Sequence, residues 1–316
     1  MKSILLVGAG QLGSRYLQGM TQKLENTKFI AVEPNPQAAA TAKERFSQVE
    51  SRSGNTLTIV RDLKECGRDF DAAIIATTAA TRLSALQETL AGSRVRKVVL
   101  EKVLFQDRPS YYAAEEMLKE AGARAWVNCP RRTFDIYKKT RLFFGDDSPI
   151  RIEVSGGAWG MACNGVHFLD LAAYLFGTCP ISAEGSGLRP GALDSKRPGF
   201  LEVEGTLLAD YGRGHTLSLY SDAASKAGVL VAIRGDAKTA VIDESNGVAF
   251  FKEPERSWRQ ENFRMPPLSE YSGAMIERII EETRADIPEY EESMRVHLPF
   301  IDALCEHWGV KKCSIT

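Results

Sequence analysis

"ILLVGAGQLGSRYL", residues 4–17, sets Gly8, Gly10 and Gly13 in a G-x-G-x-x-G spacing between an apolar run and an amphipathic segment. Residues 3–8 read as a buried strand, and Leu12, Tyr16, Met20 and Leu24 then recur every fourth residue, as one face of a helix requires. In such a strand–turn–helix the first glycine permits the tight turn and the second lets a pyrophosphate approach the backbone. The third lets helix and strand pack closely. The helix N-terminus offers free amides and partial positive charge to phosphates. Gln11 and Leu12, inside the turn, are assigned to the same cofactor contact. Glu33 ends the next apolar run, "KFIAVE" (28–33), 20 residues past Gly13. A carboxylate there accepts hydrogen bonds from ribose hydroxyls and repels a 2′-phosphate. No arginine stands beside it, so the pattern favours NAD over NADP.

Outward from this turn the same alternation continues. "PQAAATAKERF" (36–46) reads as a helix with Pro36 in its first turn, where proline is tolerated. "TLTIV", "AAIIATT", "KVVLEK" and "ARAWVN" read as further strands, with helices around 80–91 and 108–121 between the later ones. Strands apolar at nearly every position and alternating with helices predict an α/β domain over 1–128, a Rossmann-type, doubly wound parallel sheet. From 129 to 316 the texture changes. After a helix near 134–144 come "PIRIEVSGG", a helix bearing His167, and then "ISAEGSG", "LEVEGTLLADY", "HTLSLYSD", "GVLVAIRGD", "TAVIDE" and "GVAFF". Several of these alternate as half-buried strands do, which predicts an α+β domain with a large, mostly antiparallel open sheet. Helices at about 269–285 and 288–308 end the chain, the second bent or split at Pro299.

A chain of 316 residues is long enough for two ordinary domains. Its 44% apolar and 26% charged residues are those of a globular protein, and a net charge of −1 with mixed signs gives no basic footprint for nucleic acid or an anionic membrane. No apolar run reaches the roughly 20 residues of a membrane span. The lysine and apolar residues at the start mimic a signal peptide, but the run breaks after Val7 and no cleavage-like segment follows. Six scattered cysteines, without zinc spacing, read as isolated thiols of a reducing, cytoplasmic protein.

Four groups carry the chemistry. "IIATTAATR" (74–82) ends a strand in small residues and in Thr77 and Thr78, a turn beside which a cofactor could lie; packing alone would also explain it. Glu101 and Lys102 stand at the carboxyl end of a buried strand, where open α/β sheets bind ligands. A lysine beside an oxidised nicotinamide releases its proton more easily, which suits exchange with a substrate hydroxyl. The bland alternative is a surface ion pair. His167 lies in "CNGVHFLDLAAYLFG" (163–177), and if Asn164 caps that helix it falls in the first turn, where the macrodipole keeps imidazole neutral. Asp170 and Tyr174 share its face, so His167 reads either as an oriented base or as a core histidine bonded to Asp170. Arg131 and Arg132 either clamp a substrate anion or hydroxyls or tie the two domains together. His215, His297 and His307 are assigned structural roles.

With these motifs in this order the chain resembles the Gfo/Idh/MocA family, that of glucose–fructose oxidoreductase, inositol dehydrogenases and related sugar dehydrogenases, over essentially its whole length. The resemblance rests on "GAGQLG", "ATTAATR", "LEKVLF" and "GVHFLDLAAYLFG". It implies hydride exchange between NAD(P) and a carbinol of a sugar, sugar acid or nucleotide-linked sugar. Lys102 and His167 match the catalytic pair, Asp170 matches the aspartate of the same helix, and Asn164 becomes a candidate for a substrate hydroxyl. It also implies a homodimer or homotetramer through the C-terminal sheet. Two positions depart from the pattern. Val103 replaces a common proline, and Cys163 stands where inositol dehydrogenase-like members carry an aspartate. The competing reading is a non-catalytic NAD-binding sensor or scaffold of the same fold.

Overall fold

β1 (Lys2–Val7) buries Ile4 to Val7 without a polar break, because both faces of its sheet are covered. In the computed structural model, which describes residues 1–281 and 285–316, it lies inside a six-stranded parallel sheet. The chain runs β1, α1 (Gly13–Lys23), β2 (Thr27–Val32), α2 (Pro36–Ser47), β3 (Thr56–Val60), β4 (Ala72–Ile75), α3 (Ala79–Gly92), β5 (Lys97–Leu100), α4 (Arg108–Glu120) and β6 (Arg124–Val127). The strand order is β3-β2-β1-β4-β5-β6. Successive strands leave β1 first toward β3 and then toward β6, so the turns after β1 and β4 meet where the order reverses. This is the expected α/β arrangement.

The second sheet follows α5 (Asp135–Phe144). It is built from β7 (Arg151–Gly156), then, after α6 (Met161–Phe176), from β8 (Ser182–Leu188) and, beyond the short β9 (Leu193–Asp194) and β10 (Leu201–Glu202) pair, from β11 (Gly205–Asp210) to β16 (Arg259–Asn262). Between those two come β12 (Thr216–Ser221), β13 (Leu230–Arg234), β14 (Thr239–Asp243) and β15 (Val248–Lys252). The order is β16-β15-β14-β13-β7-β12-β11-β8, antiparallel except for the parallel β7–β12 pair. Alternate residues such as Leu217, Leu219, Val231 and Ile233 are fully buried, whereas Leu208, Tyr220, Leu230 and Phe250 are exposed. One face is core and the other faces outward, as the alternation predicts. α6 packs so tightly here that a Cβ on Gly165 would lie 2.8 Å from the Phe300 ring.

Three expectations need correction. The first compact unit is not confined to 1–128: it comprises Met1–Phe105, Pro109–Asn128 and Pro266–Tyr290, and the second holds Gln106–Arg108, Cys129–Met265 and Glu291–Thr316. The reason is α7 (Leu268–Ile280), whose Met275, Ile276 and Ile279 join a core with Leu17 and Met20 of α1 and with Leu24 just after it. Gly19 and Gly273 make this crossing possible, since a Cβ on Gly273 would stand 2.2 Å from the Gly19 carbonyl oxygen. The expected extension of α7 to 285 covers residues 282–284, which lie outside the described residues. Next, α8 (Tyr290–Trp308) continues through Pro299 as one helix rather than two. Finally, Cys305 and Cys313 are not isolated thiols but a disulfide, with Cα atoms 5.6 Å apart. No described helix is long and apolar enough to cross a membrane.

Candidate functional site

The glycine-rich turn has the geometry its spacing demands. Gly8 adopts φ +87° and passes so close to the β4 loop that a Cβ would lie 3.1 Å from the Thr77 amide nitrogen. A Cβ on Gly13 would stand 1.9 Å from the Gly8 carbonyl oxygen, so only glycine lets α1 start there. At Gly10 nothing lies within 4 Å of the Cβ position, leaving the backbone open to a ligand. Next to Gly8, the Thr77 hydroxyl is buried without a hydrogen-bond partner. Thr78 is the N-cap residue of α3, with its hydroxyl 3.4 Å from that of Thr81. An open backbone, an unpartnered hydroxyl and the first turn of α1 are features that fit a dinucleotide.

Glu33 is buried rather than a solvated strand end. Its carboxylate accepts the Ala9 amide at 2.9 Å and the Asn35 amide at 3.0 Å, so it braces the glycine-rich turn. Each oxygen keeps a further lone pair for a ribose hydroxyl. The absence of a neighbouring arginine holds only along the sequence. Arg61 follows Val60, whose carbonyl accepts the Glu33 amide, and Arg61 and Lys43 line one groove of about 750 Å³ with Glu33. Another arginine that the sequence reading missed is Arg45 of α2, which donates to the Gln11 carbonyl at 3.0 Å, its side-chain oxygen at 2.7 Å and the Ser14 hydroxyl at 2.7 Å. Leu12, between them, is the N-cap residue of α1.

Glu101 is committed to the protein itself. Its Oε1 accepts the Tyr16 hydroxyl at 2.5 Å and the Asn128 amide at 2.6 Å, and the carboxylate is buried. Burial, reinforced by the Glu101 charge, lifts the Tyr16 phenol well above its ordinary range, so it remains a donor. This arrangement replaces the expected exposed or cofactor-facing Glu101 with an anchor between α1, β5 and β6. Lys102, the next residue, is half-buried. The carbonyls that follow it, of Val103 and Leu104, both accept from Arg82 of α3, whose other terminal nitrogen donates to the Thr77 carbonyl.

In the second unit the helix of His167 begins earlier than expected. α6 starts at Met161 after Gly160 in the left-handed region (φ 76°), and it is capped from outside by Glu202, which accepts the Ala162 amide at 2.8 Å and the Cys163 amide at 3.3 Å. Asn164 is therefore not the cap; it lies inside the helix and donates to the Trp159 carbonyl at 2.9 Å. His167 is the seventh helical residue. A macrodipole effect fades within the first turn, so the dipole argument for a neutral imidazole does not apply. What survives is placement. Cys163, Asn164, His167 and Tyr174 are the half-buried residues on a helix that is otherwise buried from Met161 to Leu175. Cys163 and His167, four apart, share that accessible stripe, and the Cys163 thiol donates to the Thr316 carbonyl.

Asp170 is not on the stripe. It is buried, and Arg132 binds it through Nε–Oδ2 at 2.9 Å and Nη2–Oδ1 at 2.6 Å while also reaching Glu292 at 2.8 Å. Burial opposes the Arg132 charge, but the two carboxylates outweigh it and raise the guanidinium above its usual range. Burial lifts Asp170 to about 6, against the pull of Arg132. Arg131 pairs with Glu244 through two 2.8 Å bonds and covers the Phe168 ring at 4.2 Å. In these contacts both arginines pair with carboxylates of the second unit, Glu244 for Arg131 and Asp170 with Glu292 for Arg132. His215 accepts the Ile150 amide at 3.0 Å and stacks on Phe176, a structural role as expected.

No protein-family model and no curated protein sequence matches the chain. Solved structures do. An oxidoreductase from Agrobacterium radiobacter, in complex with NAD+, L-tartaric acid and magnesium, aligns over 98% of this chain and 96% of its own at 15% identity and a TM-score of 0.75. UDP-N-acetylglucosamine 3-dehydrogenase from Acidithiobacillus ferrooxidans aligns over 96% of each chain at 16% identity and a TM-score of 0.71. An oxidoreductase from Sinorhizobium meliloti aligns over 98% of this chain and 97% of its own at 14% identity and a TM-score of 0.69. The chain shares its whole fold with these oxidoreductases.

Proposed function

We propose that the chain is an NAD(P)-dependent oxidoreductase acting on a CH–OH group of a sugar, sugar acid or nucleotide-linked sugar, with NAD as the favoured cofactor. The observation that carries this reading is the turn after β1. Gly10 is open, the Thr77 hydroxyl is unpartnered and Glu33 is braced beneath it, all where the strand order reverses. A nicotinamide dinucleotide held there by its pyrophosphate would supply the acceptor or donor of a hydride. Gly8, Gly10, Gln11, Leu12, Gly13, Glu33, Thr77 and Thr78 hold that cofactor, and Glu101 acts beneath them as an anchor.

Lys102 and His167 do the proton chemistry. In the oxidation direction the His167 imidazole takes the hydroxyl proton, since imidazole is the side chain that ordinarily exchanges protons near neutral pH. The Lys102 ammonium of the first unit is assigned the polarisation of the substrate carbonyl in the reverse direction. Asn164 stands one position past Cys163 on the accessible stripe and binds a neighbouring hydroxyl. Asp170, Arg131 and Arg132 are ion-paired inside the protein, and this reading gives them a supporting role. Incubating the protein with NAD+ and a panel of sugars, sugar acids and nucleotide sugars tests the reading through NADH absorbance. Cofactor binding without turnover across the panel would favour the sensor or scaffold instead.

The outward face of the eight-stranded sheet suits self-association into a homodimer or homotetramer: Leu208, Tyr220, Leu230 and Phe250 expose 36–47% of their surface there.

A further inference from the structure

We propose that Arg82 is a positioning residue that locks the loop after β4 to the backbone carrying Lys102. The inference rests on the role given to Lys102 above. Arg82 is only 1% exposed and heads the fully buried side chains by volume. From α3 it reaches two loops at once. One terminal nitrogen donates to the carbonyls of Val103 and of Leu104, the latter at 2.9 Å, and the other donates to the carbonyl of Thr77.

Filling space alone does not call for a guanidinium. Burying its charge is costly, and an apolar side chain of similar volume would pack without that cost. A planar fork does something else: its donors keep a fixed spacing, so carbonyls bound to both ends are held at a fixed separation. The carbonyls held here belong to functional neighbours. Thr77 carries the unpartnered hydroxyl beside Gly8, and Val103 is joined directly to Lys102. β4 and β5 are adjacent, hydrogen-bonded strands, and beyond their ladder Arg82 ties together the loops that leave them. With Arg82 in place, a dinucleotide that settles against Thr77 also sets the position of Lys102.

The test uses the full chain, NAD+ and acetic anhydride, with acetylation of Lys102 followed by mass spectrometry. In the parent protein, NAD+ is expected to slow that acetylation by about tenfold through occlusion and fixed placement of the amine. In Arg82→Met and Arg82→Lys, NAD+ is expected to bind within about threefold of the parent, yet to protect Lys102 by less than about twofold. With an identified substrate, kcat should fall by about 10- to 100-fold while KM changes little, the pattern of a misplaced group rather than a lost binding contact. Arg82→Lys, which keeps the charge but not the fork, carries the test if Arg82→Met does not fold. Parent-like protection in the variants, or loss of folding in both, overturns the proposal and leaves Arg82 a purely structural residue. Absence of protection in the parent itself overturns the reading of Lys102, and this inference with it.

Discussion

Tyr16 and Glu101, 85 residues apart in the chain, share a buried hydrogen bond of 2.5 Å that joins the helix after the glycine-rich turn to the end of β5. Asn128 donates to the same oxygen at 2.6 Å, so two neutral donors hold one carboxylate in place immediately before Lys102. Tyr16→Phe keeps the ring and removes one donor. Leaving a buried carboxylate short of a donor costs about 1–3 kcal/mol, and urea unfolding should show that loss. An unchanged midpoint would mean that the phenol contributes nothing to holding Glu101.

Arg132 bridges Asp170 and Glu292, and the deeper carboxylate bears the consequence. Burial, assisted by Glu292 and opposed by Arg132, raises Asp170 to about 6. The folded value exceeds the ordinary unfolded value of about 3.9. The contribution of this group to stability is therefore fully present below about pH 4 and is lost as pH rises to about 6. Glu292→Gln removes the second negative charge, so Asp170 should titrate at lower pH in the variant. Carboxyl 13C chemical shifts follow the titration directly, and an unmoved midpoint contradicts the account of the bridge.

Glu33 acts on the cofactor through charge as well as through the turn it braces. Lys43 and Arg61 line the same groove, so replacing the carboxylate leaves two cations unopposed near the ribose position. Glu33→Gln should shift the ratio of NADPH to NADH affinity toward NADPH by about tenfold, the scale of one removed like-charge repulsion near the surface. Fluorescence titration of the two reduced cofactors measures it. A shift toward NADH would contradict the placement of the ribose.

Self-association through the outer sheet face makes a separate prediction. Phe250 lies on β15 with 36% of its surface exposed. Phe250→Glu puts a charge into any interface formed by that face, and sedimentation velocity should then show a smaller species than the parent. Equal sedimentation of the two proteins would place the interface elsewhere.

Much of this organisation is written in local sequence. Unbroken apolar runs mark β1, β4 and β5 as covered strands, and the glycine spacing marks the turn, because both depend on residues within a few positions of each other. What was not legible depends on partners brought together from afar. Asn164 looks like a helix cap, whereas the carboxylate that caps α6 is Glu202, 40 residues beyond Ala162. Arg45 and Arg82 act on main-chain carbonyls, which carry no sequence signal at all. Asp170 has the spacing of a partner to His167, yet a helical position one turn away can face the core, and Arg132 takes it there. The packing of α7 against α1 depends on two small residues, Gly19 and Gly273, more than 250 positions apart.

The central claim is the proposal that Lys102 and His167 each carry part of the proton chemistry. The most direct measurement is steady-state oxidation with NAD+ of the best substrate from the panel, comparing the parent with Lys102→Ala and His167→Ala at matched cofactor saturation. General acid–base assistance is worth about 10²–10⁴-fold, so each variant should lose turnover on that scale while its NAD+ affinity stays close to that of the parent. Parent-like turnover in both variants would contradict the account.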